Sequence, residues 1–314
     1  MKVLMIGGTR YLGRAITQRL AARGDAVTVA NRGQTEWDLP AGVERVAADI
    51  MEPGSLAQAV EGMTFDAAVH MIAMDAARAR VVIEAIHDKV AHYVQCGSTG
   101  VYMPLKYLPA DEEHPIDPPS DEMGGFNGKW AADQEAMQLC AAYSLPLTIC
   151  RPTNVIGAGA VPIDLWGARD PRFFQRIIEG RKISVPNDGE ALLQPGHVGD
   201  IADGFVLALD RPDRLGVFNL SCRYAITLNY YLELLGDALG CEPEVQYVPA
   251  EKLVKKYEPK GKLTGRGLRF LAAHMCFTMA KAERELGYDP KMRPEDSVAE
   301  NVRWMFDEGI ITGG

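Results

Sequence analysis

Apolar residues in the first half of this 314-residue chain gather in short unbroken runs, and between the runs they recur at helical spacing. Lys2–Ile6, Ala26–Ala30, Val43–Ala47, Ala67–Ile72, His92–Cys96 and Leu147–Arg151 are such runs. They have strand length, and their continuity fits a sheet buried on both faces. Tyr11–Arg23 places Leu12, Ala15, Ile16 and Leu20 on one helical face and stops at Gly24. Gly54–Gly62, Asp75–His87 and Gly128–Tyr143 read as further helices. The alternation predicts an α/β fold, a doubly wound parallel sheet with helices on both faces. In such a fold ligands sit at the carboxyl ends of the strands.

Beyond Arg151 the pattern loosens. Gly157–Asp170, rich in Gly, Pro and Ala, reads as a loop. Lys182–Val185 and Gly216–Ser221 read as strands, and Val198–Ala208, Thr227–Leu239, Met279–Leu286 and Pro294–Glu308 as helices. A hydrophobic content of 47% is ample for a buried core, and a formal net charge of -9 disfavours general binding to nucleic acid phosphates. Cys96, Cys140, Cys150, Cys222, Cys241 and Cys276 include no C-x-x-C pair, so no thiolate metal site is expected. Their mostly apolar contexts fit a reducing compartment. Met1-Lys2 leads directly into a strand and no apolar run reaches membrane-spanning length, so the expected location is the cytoplasm.

The most informative segment is Ile6-Gly7-Gly8-Thr9-Arg10-Tyr11-Leu12-Gly13, which follows a strand and opens a helix. Gly7 allows a tight turn, and Gly13 allows the helix to approach the sheet. Free N–H groups and the positive end of the helix dipole attract a pyrophosphate. Thr9, Tyr11 and Leu12 are candidate contacts within the loop. Arg10 replaces the middle glycine of the usual spacing, and Asn31-Arg32-Gly33 stands where a carboxylate would bind the ribose hydroxyls of NAD. A guanidinium pairs with a 2′-phosphate and a carboxylate repels it, so the pattern favours NADP, with NAD as the alternative. Asp49-Ile50 falls beside the adenine, and Met71-Ile72-Ala73 at the end of the fourth strand lines the cofactor path. His70 reads as a packed core histidine.

Together with Ser98-Thr99-Gly100-Val101-Tyr102, Arg151-Pro152-Thr153-Asn154-Val155-Ile156-Gly157 and His197-Val198-Gly199-Asp200, these motifs resemble the extended short-chain dehydrogenase/reductase family, the NAD-dependent epimerase/dehydratases. The Gly-Gly-Thr-Arg loop is most similar to a subgroup that includes chloroplast stem-loop RNA-binding proteins. The resemblance covers essentially the whole chain. It implies a Rossmann domain over 1–157 plus roughly 190–240, and a smaller substrate domain over roughly 158–189 and 241–314. It also implies a homodimer joined through the helices Asp75–His87 and Gly128–Tyr143. Family chemistry uses a Ser or Thr, a Tyr and a Lys. Ser98 matches the serine as a catalytic and substrate-binding residue. Lys129 matches the lysine, which is both catalytic and bound to the nicotinamide ribose. Asn154 matches a substrate contact, and Tyr102 lies at the pocket edge, where packing is the favoured role.

Two departures limit what the resemblance implies. The tyrosine position is occupied by Gly125, which has no proton to give. Lys129, Tyr102 or a substrate carboxylate could take over, the step could need no acid, or the cofactor could bind without turnover. The Arg-Asp pair of nucleotide-sugar members is replaced by Leu193-Gln194, which weakens a pyrophosphate-bearing substrate. Lys252, Lys255, Lys256, Lys260, Lys262, Arg266 and Arg269 form a basic run interleaved with Glu251 and Glu258, read as a solvated face. The expectation is an atypical NADP-dependent oxidoreductase or epimerase acting on a small polar substrate. The alternative is a cofactor-binding sensor or RNA-associated protein without redox turnover.

Overall fold

The computed structural model describes residues 1–35, 37–117, 126–260 and 264–313. Its strands are β1 (Lys2–Ile6), β2 (Ala26–Asn31), β3 (Glu44–Ala47), β4 (Ala67–His70), β5 (Tyr93–Cys96) and β6 (Leu147–Pro152). They continue with β7 (Asn154–Ile156), β8 (Ile183–Pro186), β9 (Leu192–Leu193), β10 (Pro195–His197), β11 (Gly216–Leu220), β12 (Ile226–Thr227) and β13 (Val245–Val248). Seven of them form one sheet in the order β11-β6-β5-β4-β1-β2-β3, with every neighbouring pair parallel. The order reverses between β1 and β4, which opens a crevice at their carboxyl ends. The short strands pair as β7 with β10, β8 with β13 and β9 with β12.

The helices are α1 (Tyr11–Ala22), α2 (Ser55–Ala59), α3 (Ala76–Ile86), α4 (Asn127–Tyr143), α5 (Pro171–Ile178) and α6 (Val198–Asp210). They continue with α7 (Leu228–Leu239), α8 (Ala250–Tyr257), α9 (Gly265–Leu271), α10 (Ala280–Leu286) and α11 (Pro294–Asp307). The two faces of the sheet are visible within β1. Val3 and Met5 join Leu12, Ile16 and Leu20 of α1 and Ile201 and Phe205 of α6 in one core. Leu4 and Ile6 join Leu56 of α2, Val82 and Ile86 of α3 and Leu139 of α4 in the other. The doubly wound α/β expectation therefore holds.

The differences have physical causes. The β3 edge strand is not buried on both faces: Glu44, Arg45 and Ala47 are exposed and Val46 half-buried, because only β2 lies beside it. The helix α5 leaves little trace in the sequence, because eight residues give barely two turns of periodicity. It is capped by the Asp170 carboxylate, which accepts from the Arg172 N–H at 2.9 Å, and it buries Phe173, Phe174 and Ile177. The described part of the basic run folds as α8, the 3₁₀ turn Glu258–Lys260 and α9. Leu253 and Val254 face inward, Lys252, Lys255 and Lys256 face solvent, and Arg269 pairs with Glu251 at 2.8 Å. Lys262 lies outside the described residues.

Candidate active site

The glycine loop joins β1 to α1 at the crevice. Gly7 has φ +86°, and a Cβ there would sit 2.8 Å from Ile72. A Cβ on Gly13 would sit 2.6 Å from the Gly7 carbonyl oxygen, so only hydrogen at both positions allows this closure. At the N-cap of α1 the Arg10 side chain makes no capping hydrogen bond. The N–H groups of the first turn therefore keep their free donors, as an anion at a helix start requires.

A cavity of about 330 Å³ opens above this loop. Of the residues singled out from the sequence, Gly7, Thr9, Arg10, Asn31, Arg32, Asp49, Ile50 and Ile72 line it. Arg10 Nε donates to Thr35 Oγ1 at 3.2 Å. An Arg32 nitrogen stands 4.0 Å from the Asp49 carboxylate, and both remain solvent-accessible. Asn31 Oδ1 accepts from the Gly33 N–H at 2.8 Å, and Asp49 Oδ1 from the Met51 N–H at 2.9 Å, which fixes both turns. The lining also contains Met74 and Arg78, which the sequence reading missed. Arg78 reaches it because the Asp75 carboxylate caps α3, accepting from the Arg78 N–H at 2.9 Å.

Six expected contacts are absent from that lining: Gly13, which closes on the Gly7 carbonyl, Lys129, which lines neither this cavity nor the next, and four residues turned elsewhere. Leu12 is buried in the core under α1. Ala73 is fully buried against Ala79 and Ala132. The Met71 side chain packs against the main core. Tyr11 has φ +41°, and its ring packs beside Gly159. The Tyr11 hydroxyl is buried without a hydrogen-bond partner among the described residues, and burial raises its pKa well above the usual phenol range.

A second cavity of about 130 Å³ lies beyond the carboxyl ends of β5 and β6. Ser98, Thr99, Thr153, Asn154 and Arg169 supply its polar lining, and Phe126, Phe270, Met275 and Phe277 most of its apolar lining. Ser98 Oγ accepts from the Gly100 N–H at 3.1 Å, which leaves its proton free to point into the cavity. Asn154 Nδ2 lies 3.2 Å from the Met275 sulfur. Lys129 Nζ donates to the Cys96 carbonyl at 2.8 Å, so the ammonium is pinned two residues before Ser98.

A buried ion pair stands one turn beyond Lys129 along α4. Asp133 Oδ2 accepts from Arg151 at 2.9 and 3.1 Å, and its other oxygen accepts from Gln95 at 2.9 Å. Both partners are nearly inaccessible. The Arg151 guanidinium also covers the Tyr102 ring, 4.8 Å from its centroid. Burial pulls the Asp133 carboxyl up from its ordinary range, opposed by Arg151 and Gln95.

Tyr102 is 1% exposed and donates to Asn219 Oδ1 at 3.1 Å. Burial pushes its phenol up to about 12, against the pull of Arg151. It is absent from the lining of the second cavity, so the structure keeps this expected substrate contact as a packing residue. His70 is fully buried, with Nδ1 2.7 Å from the Tyr93 hydroxyl. Burial lowers its pKa to about 3, and the nearby charges of Lys129 and Arg78 add to that. Gln194 is spent internally: its amide donates to the carbonyls of Cys222 and Phe277 and accepts from the Phe277 N–H. Gly125 lies outside the described residues. Among the described residues, no cluster of His, Cys, Asp or Glu is placed to hold a metal ion. No described helix is long and apolar enough to cross a membrane.

A glycine cradle, an uncapped helix start and a cavity rich in arginine fit a dinucleotide phosphate. A sequence profile of the NAD dependent epimerase/dehydratase family matches residues 3–221. The chain belongs to that family. It is 26% identical to the chloroplast stem-loop binding protein of 41 kDa b from Arabidopsis thaliana, over 99% of this chain and 80% of that protein. It is 27% identical to the 2'-dehydrokanamycin reductase of Streptomyces kanamyceticus, over 82% of this chain and 72% of that protein. Its fold matches the UDP-glucose 4-epimerase of Thermotoga maritima with a TM-score of 0.77, at 20% identity, covering 99% of this chain and 100% of that one. The family supports a nicotinamide cofactor and chemistry of the epimerase or dehydratase type.

Proposed function

We propose that this protein is an NADP-dependent reductase of a small polar carbonyl compound, working without the family's tyrosine. The observation that carries this reading is the pairing of two cavities at the strand ends. One is lined by Arg10, Arg32 and Arg78 above the glycine loop, and the other has Ser98 in its lining. Arg10 and Arg32 hold the 2′-phosphate, for which a guanidinium is suited and a carboxylate is not. The bound nicotinamide supplies the hydride. Ser98 donates its free proton as a hydrogen bond to the substrate carbonyl oxygen, and Asn154 orients the polar remainder. Lys129 has one N–H on the Cys96 carbonyl, which leaves two. With Gly125 in the tyrosine position, Lys129 is our candidate to deliver the proton to that oxygen, directly or through a water. The internal bonding of Gln194 speaks against a pyrophosphate-bearing substrate. The division into a dinucleotide-binding part and a smaller substrate-facing part follows from the same placement. The exposed Met137 and Tyr143 on α4 support a homodimer through α3 and α4.

A second reading has its own support. Among the described residues no phenol lines the second cavity, and one relative is named a stem-loop binding protein. The chain would then hold cofactor without turning it over. NADPH consumption with a panel of small aldehydes and ketones separates the two. Turnover that is lost in Ser98→Ala and in Lys129→Ala supports the reductase. Tight NADPH binding with no consumption by any carbonyl supports the sensor.

A further inference from the structure

We infer that Arg169 makes the second cavity an anion-recognition site, so that its substrate carries a carboxylate or phosphate beside the reacting carbonyl. The inference rests on the reductase reading for the word substrate, and on geometry alone for the anion.

Arg169 lines the same cavity as Ser98 and Asn154, yet it comes from the far end of the loop that follows β7. Its guanidinium is held in place by backbone. One terminal nitrogen donates to the Val161 carbonyl at 2.7 Å and the other to the Val155 carbonyl at 3.1 Å. Two of the five N–H groups of an arginine are thus spent and three remain. Carbonyls orient the group without neutralising it. None of the ion pairs formed by the described residues includes Arg169.

The nearby acids are engaged elsewhere. Asp164 accepts from the N–H groups of Trp166, Ala168 and Asp170 within its own loop. Asp170 pairs with Arg172, and Glu300 with His197 at 3.0 Å. No carboxylate lines the cavity among the described residues. A pre-oriented cation over a pocket of hydroxyls, one amide and aromatic rings selects an anion, and does so most strongly where a planar group can accept two bonds. The loop needs only two N–H groups to be stapled. Among the described residues, the charge and the three remaining donors are what the structural role leaves unused. The small volume sets the anion close to the Ser98 hydroxyl.

Calorimetric titration of the full chain saturated with NADP tests this. The probes are oxamate and inorganic phosphate, with neutral oxamide as the control. The expected result is saturable binding of at least one anion, weakened about tenfold or more in Arg169→Gln and less in Arg169→Lys, with oxamide and NADP affinities unchanged. Which of the two anions binds distinguishes a carboxylate from a phosphate. Arg169→Gln also removes the staple, so a second readout uses the unaltered protein. The bound anion is expected to protect Arg169 from phenylglyoxal, as read by peptide mass spectrometry. Absence of anion binding, equal binding in Arg169→Gln, or modification of Arg169 unaffected by the anion would overturn the proposal. Arg169-dependent anion binding without any NADPH-consuming carbonyl would leave it standing and sink the reductase reading instead.

Discussion

The two cavities of this protein are built in opposite ways. The cavity over the glycine loop is lined by the turns that follow successive strands, β1, β2, β3 and β4, and those after β2 and β3 are fixed by hydrogen bonds between residues two apart. The second cavity is assembled from five distant segments, around Ser98, Phe126, Thr153, Arg169 and Phe270. A locally encoded cavity changes its chemistry with one or two residues, as Arg10 and Arg32 illustrate. A cavity assembled over long range depends on what holds its segments together, here the Asp133–Arg151 pair behind Lys129.

That contrast can be broken from its strongest point downward. Asp133→Ala strands the Arg151 charge in the interior. It is expected to cost about 3–5 kcal/mol of stability in urea unfolding. Arg10→Ala combined with Arg32→Ala leaves the fold intact and is expected to lower NADPH affinity by about 1.5–3 kcal/mol. NADH affinity, measured by the same fluorescence titration, should not change. Gly13→Ala forces a Cβ toward the Gly7 carbonyl and is expected to cost about 1–3 kcal/mol while weakening both dinucleotides.

A pH titration probes two buried histidines, one at each end of the sheet. His70 and His92 fold as neutral rings, with burial lowering their pKa values from 6.5 to about 3 and about 4. The unfolded chain takes up their protons below pH 6.5 and the folded chain does not. Stability is therefore fully present above that pH and is lost as pH falls toward 4, by about 1.4 kcal/mol per pH unit for each ring. His70→Gln should flatten that dependence. The smallest effect belongs to the exposed face of α8, where Lys252→Ala is expected to stay within about 0.5 kcal/mol.

The same division explains what the sequence made legible. β1 and the start of α1 were read to the residue, because a glycine turn between an apolar run and a helical repeat leaves few alternatives. Arg10 and Arg32 were found because their positions are fixed by the turns that carry them. Met74 and Arg78 were missed because they reach the cavity only through the bend after β4 and the cap of α3. The resemblance puts Tyr102 at the pocket edge with packing as its favoured role, and the short 3₁₀ turn Thr99–Tyr102 sends the tyrosine inward to Asn219. Leu12 and Ala73 sit where the backbone nears the cofactor path while their side chains face the core, a distinction no motif encodes. Arg169 has no local signature, since its site exists only once the loop after β7 folds back over Ser98.

The central claim is that a chain with Gly125 in place of the tyrosine still transfers hydride. It is tested most directly by incubating the protein with NADPH deuterated at the transferring position and a panel of small carbonyl acids, then locating the label by mass spectrometry. The account predicts deuterium on the new carbinol carbon, formed by the unaltered protein and lost in Ser98→Ala. Saturating NADPH binding with no label in any product would contradict it.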